Sequence, residues 1–133
     1  MDIDSGSGGS FPGYFVDAGF GVVFAAHDEC AGSEPWVTDG TPEGTRRLAD
    51  ILPGSEGSGA SSFVAWNGIA LFAAGDEANG AQLWRTDGTE AGTVRVTDPI
   101  DGVAVQSVLP MSVAIDDGVF VLRYEGSSWT LWI

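Results

Sequence analysis

The chain has 133 residues, of which 44% are hydrophobic and 11% aromatic, which is enough apolar material for a packed core and argues against disorder. Its 19 acidic residues outnumber 5 basic ones, and the formal net charge of -14 makes nucleic acid and anionic membranes poor partners, because their phosphates repel an acidic surface. No apolar run reaches the roughly 18 residues that span a bilayer, and a single cysteine, Cys30, excludes an internal disulfide.

The sequence repeats itself. Residues 2–49 and 50–97 align without a gap and are identical at 22 of 48 positions, which indicates two tandem copies of one structural unit. A third, degenerate copy spans 98–133, where Trp132 returns to the register of Trp36 and Trp84. This copy stops before the last quarter of the unit, so the sequence predicts about 2.75 repeats of 48 residues.

Each full unit contains four predicted strands, which are clearest in the second copy. Apolar or alternating runs bounded by turn residues place these strands at 62–66, 69–74, 81–86 and 93–97. Asn67-Gly68 separates the first two as a two-residue hairpin turn, because both residues tolerate positive φ. The second strand is apolar on both faces, as are 22–26 and 119–122 in the other copies, so we expect it to be covered on both sides.

Four short strands per unit, with apolar inner strands and a more polar outer strand, are typical of a β-propeller blade. The sequence therefore predicts an all-β, propeller-like fold of tandem four-stranded antiparallel blades. The core is expected to contain the large apolar side chains of the second and third strands, namely Phe24, Trp36, Leu71, Phe72, Leu83 and Trp84.

Both full copies carry one motif at the end of the third strand. It is Ser-Glu-Pro-Trp-Val-Thr-Asp-Gly-Thr at 33–41 and Ala-Gln-Leu-Trp-Arg-Thr-Asp-Gly-Thr at 81–89, and a further Gly-Thr follows each. These segments resemble the signature of the ELWxxDGT repeat family of bacterial surface and secreted proteins. Pro35 replaces the Leu of that signature and Gln82 replaces its Glu, whereas the Trp and Asp-Gly-Thr positions are intact.

The resemblance implies a propeller-like extracellular repeat used for surface display or adhesion, in a family without an established catalytic reaction. It also implies a secreted or cell-surface location. The amino terminus lacks the basic and apolar segments of an export leader, so we expect a leader to lie outside this sequence.

Trp36, Trp84 and Trp132 recur at one place on the third strand. They are candidates for a ring of sugar-stacking platforms, but we expect them to pack between blades, because an indole buries a large area. Asp39 and Asp87 are expected to cap the tight Asp-Gly-Thr turn through their carboxylates rather than to bind a ligand.

Asp2, Asp4 and Asp101 are secondary candidates for Ca²⁺ ligands, because acidic residues alternate around them as in oxygen-rich calcium sites. The second copy has Leu52 and Pro53 at the matching positions, which argues against a repeated calcium site. No other cofactor is expected.

His27 and Cys30 occur in one loop and suggest a transition-metal or nucleophilic site. The equivalent residues 75–78 are Gly-Asp-Glu-Ala, so we expect a variable surface loop instead. The adjacent acids at 116–117 would need a second carboxylate about 5 to 9.5 Å away to hydrolyse a glycoside, and neighbouring residues of a strand point to opposite faces.

These observations favour a non-enzymatic extracellular module for binding, adhesion or scaffolding at a bacterial surface. The alternatives are a carbohydrate-recognising, lectin-like propeller with pockets between its blades and, less favoured, a glycan-active hydrolase. Fewer than three complete blades leave the faces between blades uncovered. We therefore expect the chain to pair with another copy, for example in a roughly six-bladed ring, or to dock onto the rest of a longer repeat protein.

Overall fold

The computed structural model describes residues 2–4 and 6–96, together with the strand backbone at 113–115, 118–125 and 128–132. Throughout this part of the chain the regular structure is β, with eleven strands and no helix. The strands form two four-stranded sheets and one three-stranded sheet, all antiparallel. The all-β prediction is confirmed.

The first sheet has the order β1-β2-β3-β4. Its strands are β1 Gly13–Asp17, β2 Val22–Asp28, β3 Gly32–Thr38 and β4 Arg46–Arg47. The second strand is buried at Val23, Phe24, Ala25 and Ala26. Because successive residues of a strand point to opposite faces, this run confirms that β2 is covered on both sides.

The second sheet has the order β5-β6-β7-β8. Its strands are β5 Ser61–Trp66, β6 Ile69–Asp76, β7 Gly80–Thr86 and β8 Val94–Arg95. The first three match the predicted strands to within two residues. The fourth is shorter than the predicted 93–97, because only Arg95 and Val94 pair, opposite Trp84 and Arg85; residue 97 lies outside the described residues.

The turns of the second sheet follow the sequence prediction. Asn67 and Gly68 have φ angles of 48° and 78°, which is the left-handed geometry of a two-residue hairpin turn. The first strands of the two sheets also share a bulge, since Tyr14 and Ser62 both have a φ of 59°. Positive φ is uncommon outside glycine, so the sheets share a local backbone feature as well as a strand order.

The third sheet has the order β11-β10-β9. Its strands are β9 Val113–Ile115, β10 Gly118–Glu125 and β11 Ser128–Trp132. β5 lies against β1 and β2 of the first sheet, and β9 lies against β5. The first strands of the three sheets therefore follow one another in space in chain order.

The core lies within and between the first two sheets. One cluster joins Val23 and Val37 of the first sheet, and Leu48 just after β4, to Ala70 of β6, with Phe63 of β5 packed against it. A second cluster joins Ala25 to Ala60, Phe72 and Ala74, and a third contains Phe24, Ala26 and Trp36. Of the predicted core residues, Phe24, Trp36, Leu71 and Phe72 are buried, whereas Leu83 and Trp84 are half-buried, with Trp84 at the margin of the second cluster.

The segment between the first two sheets, residues 48–60, is called the inter-sheet linker below. It passes so close to β3 that a β-carbon on either Gly32 or Gly57 would collide with the other's backbone. The Gly59 N–H donates to the Ser33 carbonyl at 3.1 Å, and the Gly75 N–H donates to the Ser58 carbonyl at 2.8 Å. The linker thus bonds to β3 on one side and to β6 on the other.

Candidate functional site

Each of the first two sheets carries an Asp-Gly-Thr loop between its third and fourth strands. The first loop comprises residues 38–45 and the second comprises residues 86–93. In the first, Asp39 Oδ1 accepts hydrogen bonds from the Thr41 N–H at 2.9 Å and from Thr41 Oγ1 at 2.7 Å. In the second, Asp87 Oδ1 accepts the same two bonds from Thr89 at 3.0 and 2.7 Å. The predicted capping role of both aspartates is confirmed.

Threonine hydroxyls close the base of each loop. Thr38 Oγ1 and Thr45 Oγ1 are 2.6 Å apart, and Thr86 Oγ1 and Thr93 Oγ1 are 2.8 Å apart. Thr45 Oγ1 also donates to the Thr41 carbonyl at 2.6 Å, and Thr93 Oγ1 donates to the Thr89 carbonyl at the same distance. The two loops therefore share one hydrogen-bonding pattern, which fixes both backbones in the same conformation.

The carboxylates of the loops are held in their charged form. Hydrogen bonds from the Thr41 hydroxyl and N–H hold the pKa of Asp39 below its usual value of 3.8, and the Thr89 hydroxyl and N–H do the same for Asp87. A glycoside hydrolase needs one protonated carboxyl group as its general acid. Two acids of lowered pKa are anions at neutral pH, and neither can take that role.

The surroundings of the two loops differ at their glycines. Gly88 is buried, and a β-carbon added to it would lie 2.5 Å from Cδ2 of Phe20, in the loop between β1 and β2. Arg46 of β4 donates a hydrogen bond through Nη2 to the Gly88 carbonyl. Gly40 is exposed, with no atom within 4 Å of a β-carbon placed on it.

An open cleft of about 340 Å³ lies between the two loops. Its lining combines one aromatic ring, one guanidinium and two carboxylates, and consists of Phe20, Val37, Asp39, Gly44, Arg46, Asp87, Gly88 and Thr89. Carboxylates accept hydrogen bonds from hydroxyl groups, and an aromatic ring supplies an apolar contact surface. Such a surface offers hydrogen-bond acceptors and an apolar face of the kinds that contact a small polyhydroxylated ligand.

A second group of polar contacts surrounds Glu34, the Glu of the third-strand motif. Its side chain is fully buried, and its carboxylate accepts hydrogen bonds from the inter-sheet linker at the N–H groups of Ile51, Leu52 and Ser58 and at Ser58 Oγ, at 3.2, 3.0, 2.9 and 2.7 Å. Burial raises the pKa of Glu34 above its usual 4.5, although these bonds oppose the shift. Glu34 is closed to ligands and connects β3 to the linker.

Two of the three predicted tryptophan platforms, Trp36 and Trp84, lie in the packed interior or at its margin. Trp36 is buried beside Phe24 and Ala26. Trp84 is half-buried and donates through Nε1 to the Ala74 carbonyl at 3.2 Å. The side chain of Trp132 lies outside the described residues. The sugar-stacking role of these three residues stays a prediction.

The predicted calcium ligands are only partly described. Asp4 is buried, accepts a hydrogen bond from the Gly6 N–H at 2.9 Å, and lies 4.0 Å from Nδ1 of His27. Asp2 is exposed, and Asp101 lies outside the described residues, as do the adjacent acids at 116–117. Among the residues that the structure describes, no three His, Cys, Asp or Glu side chains are placed to hold a metal ion.

The loop that follows His27 is on the surface, as expected. Cys30 is exposed and unpaired, and its N–H donates to Asp28 Oδ1 at 2.9 Å in a turn-capping contact. The same contact recurs between Ala78 and Asp76 at 3.0 Å. The cysteine thus occupies a turn position that an alanine fills in the other sheet.

Sequence reasoning missed Phe20 and Arg46, the two side chains that cover the second loop. Their counterparts 48 residues later are Gly68 and Val94, so a comparison of the copies gives them no weight. The difference between the copies could have identified them. A phenylalanine in place of a turn glycine, and an arginine in place of a valine, indicate contacts that only the first copy makes.

The described part of the chain contains no helix that is long and apolar enough to cross a membrane. Comparison of the chain with protein-family models, curated proteins and solved structures gave no match.

Proposed function

We propose that this chain is a non-enzymatic extracellular module for binding, adhesion or scaffolding at a bacterial surface, made of propeller-like blades that repeat every 48 residues. The observation that carries the proposal is that several charged side chains form hydrogen bonds within the fold. Glu34 bonds to the inter-sheet linker, Asp39 and Asp87 bond to their own loops, and Arg46 bonds to the neighbouring loop. These four charged groups are engaged within the fold.

The propeller-like part of the proposal is supported by the order of the first strands. β5 lies against β1, and β9 lies against β5, and consecutive inner strands follow one another in this way around the channel of a propeller. The second strands, β2 and β6, carry small residues next to these first strands, with Ala25, Ala26, Ala73 and Ala74 all buried. Small side chains let neighbouring sheets approach closely.

The test of a non-enzymatic role is a panel of bacterial cell-wall and capsular polysaccharides, assayed both for retention of the chain in affinity electrophoresis and for new reducing ends. We expect no new reducing ends above those of a heat-denatured control. Retention by a polysaccharide would indicate a binding role, and its absence would favour scaffolding. Release of reducing ends that is lost in Asp87→Asn would contradict the proposal.

A carbohydrate-recognising module is the second candidate, and the cleft between the two Asp-Gly-Thr loops favours it. Its carboxylates can accept bonds from sugar hydroxyls, and Phe20 offers an apolar face at the same place. A glycan array with the wild type and Asp39→Asn tests this candidate, because Asn keeps the loop-capping oxygen and removes the charge. Binding should weaken about tenfold or more, whereas Asp50→Asn, an exposed acid outside the cleft lining, should bind as the wild type does.

We further propose that another copy of the chain covers the exposed aromatic face on β1 of the first sheet, away from its Asp-Gly-Thr loop, with the remainder of a longer repeat protein as the alternative. Phe11, Tyr14 and Phe15 are 79%, 59% and 59% exposed. Phe15 stacks on Phe24 as Phe63 stacks on Phe72, with ring centroids 5.3 and 5.0 Å apart, and Phe63 is covered by the first sheet. Light scattering should show a dimer or larger; a 13.8 kDa monomer at high concentration would contradict self-pairing.

A further inference from the structure

The second Asp-Gly-Thr loop is already bound by other parts of the chain. The Phe20 ring lies over Gly88, where a φ of +90° and the absence of a β-carbon let an aromatic ring approach the backbone. Arg46 adds a hydrogen bond to the Gly88 carbonyl. Thr86 and Thr93 at the base of the loop are also buried. One aromatic ring and one guanidinium thus cover the glycine of this loop, while Asp87 and Thr89 beside it stay exposed.

The first Asp-Gly-Thr loop offers the same surface to solvent. Its internal hydrogen bonds match those of the second loop, Gly40 has a φ of +94°, and the space beside Gly40 is open. No side chain in the described part of the chain takes the place over Gly40 that Phe20 and Arg46 take over Gly88. Thr38 and Thr45 remain half-exposed.

We propose that the first Asp-Gly-Thr loop is a recognition site for a polypeptide segment that presents an aromatic side chain and an arginine. The ring would cover Gly40, and the guanidinium would donate to the Gly40 carbonyl, as at the second loop. This inference deepens the binding role proposed above and names the chemistry of one partner.

Charge favours such a partner at the first loop. Asp39 is exposed, and its lowered pKa keeps it ionised beside Gly40. The chain as a whole carries a formal net charge of -14, which attracts cationic segments over a longer range. Arginine suits the position better than lysine, because its planar guanidinium combines stacking with directed hydrogen bonds.

A second copy of the chain is a poor occupant of this loop. Its own Phe20 and Arg46 are engaged with Gly88 of the same copy. The aromatic and arginine groups are therefore expected from a different polypeptide, and self-association through the first loop is an outcome that the test below can detect.

The test is a titration of the isotopically labelled chain with acetyl-Phe-Gly-Arg-amide, followed by amide resonances in two-dimensional NMR. The Gly40 and Thr41 resonances should shift in a saturable manner, with a dissociation constant on the order of 1 mM for so small a probe. Gly88 and Thr89 should shift several-fold less. The matched peptides acetyl-Ala-Gly-Arg-amide and acetyl-Phe-Gly-Glu-amide should each bind more weakly.

Two variants sharpen the test. Asp39→Asn should weaken peptide binding about two- to fivefold, the range expected for one exposed ion pair. The double variant Phe20→Ala, Arg46→Ala removes the built-in occupant of the second loop, and the Gly88 and Thr89 resonances should then respond to the peptide. If the double variant does not fold, the wild-type titration with the three peptides still tests the proposal.

The proposal is overturned if Gly40 and Thr41 do not move at peptide concentrations that exceed about ten times the expected dissociation constant. It is also overturned if the three peptides act alike, or if concentration alone shifts the first loop, which would identify a second copy as its occupant. None of these outcomes bears on polysaccharide retention or hydrolysis, so this proposal and the proposed function can fail separately.

Discussion

Glu34 on β3 accepts two hydrogen bonds from Ser58, one from its N–H at 2.9 Å and one from its Oγ at 2.7 Å, although the two residues are 24 positions apart. Ser58 belongs to the inter-sheet linker, and its carbonyl bonds in turn to Gly75 of β6. A buried carboxylate is tolerated only when hydrogen bonds satisfy it. This contact therefore holds the connection between two sheets in one conformation.

Glu34→Gln should destabilise the chain at neutral pH by about 1–3 kcal/mol. The glutamine has one acceptor oxygen in place of two, and its amide group would face N–H donors of the linker. Urea unfolding followed by tryptophan fluorescence measures the change. Glu43→Gln removes the same charge from an exposed position and should change stability by less than about 0.5 kcal/mol; equal losses in the two variants would contradict the structural role of Glu34.

The stability difference between the wild type and Glu34→Gln should depend on pH. The folded-state pKa of Glu34 lies above the unfolded value of 4.5, so the folded state holds its proton longer than the unfolded state does. Its stabilising contribution is complete below pH 4.5 and is lost as the pH rises through the folded pKa. The advantage of the wild type over the variant should therefore shrink from acid to neutral pH. An advantage that grows over this range would show that the pKa is lowered.

Gly88→Ala should be more harmful than Gly40→Ala. Both glycines have left-handed φ angles, +90° and +94°, so each substitution costs about 1–2 kcal/mol in backbone strain. At Gly88 the new methyl group also meets the Phe20 ring, which adds about 1–3 kcal/mol for overpacking. Thermal and urea unfolding of the two variants provides a matched comparison.

Phe20→Ala should remove most of that extra cost, so that the Gly88→Ala substitution in a Phe20→Ala background costs about as much as Gly40→Ala. An unchanged cost in that background would mean that Phe20 does not cover the second loop.

Asp39→Asn should reduce the sensitivity of the chain to acid. The folded-state pKa of Asp39 lies below the unfolded value of 3.8, chiefly through the hydrogen bonds from Thr41. Its contribution to stability is present above pH 3.8 and is lost as the pH falls through the lower, folded pKa. Asparagine keeps the capping oxygen and does not titrate. Urea midpoints measured from neutral pH to about pH 2.5 should fall less steeply for the variant, and parallel curves would contradict the shifted pKa.

The local structure could be predicted from the sequence wherever one residue type has a narrow set of conformations. Asn67-Gly68 forms the expected hairpin turn, and Asp39 and Asp87 form the expected caps. The apolar second strands are buried as expected. These features depend on neighbours in the sequence, which is why short patterns identify them.

The contacts between sheets could not be predicted in this way. The partners of Glu34 lie 17 to 24 residues away, and Arg46 reaches across 42 residues to Gly88. One available sign was overlooked, because Glu34 lies two residues before Trp36 and so on the same face of a strand. A charged residue in line with a buried tryptophan requires specific partners.

Hydrogen exchange at the linker amides tests most directly whether buried side chains join the first two sheets. In the wild type the Leu52 and Ser58 amides should be protected although they lie outside regular strands, because Glu34 accepts their hydrogen bonds. Glu34→Gln should reduce that protection about tenfold or more, while the Ala73 amide in the central strand β6 should lose no more protection than the fall in global stability of the variant accounts for. Exchange of both linker amides at the rates of an unfolded peptide in the wild type would contradict the account.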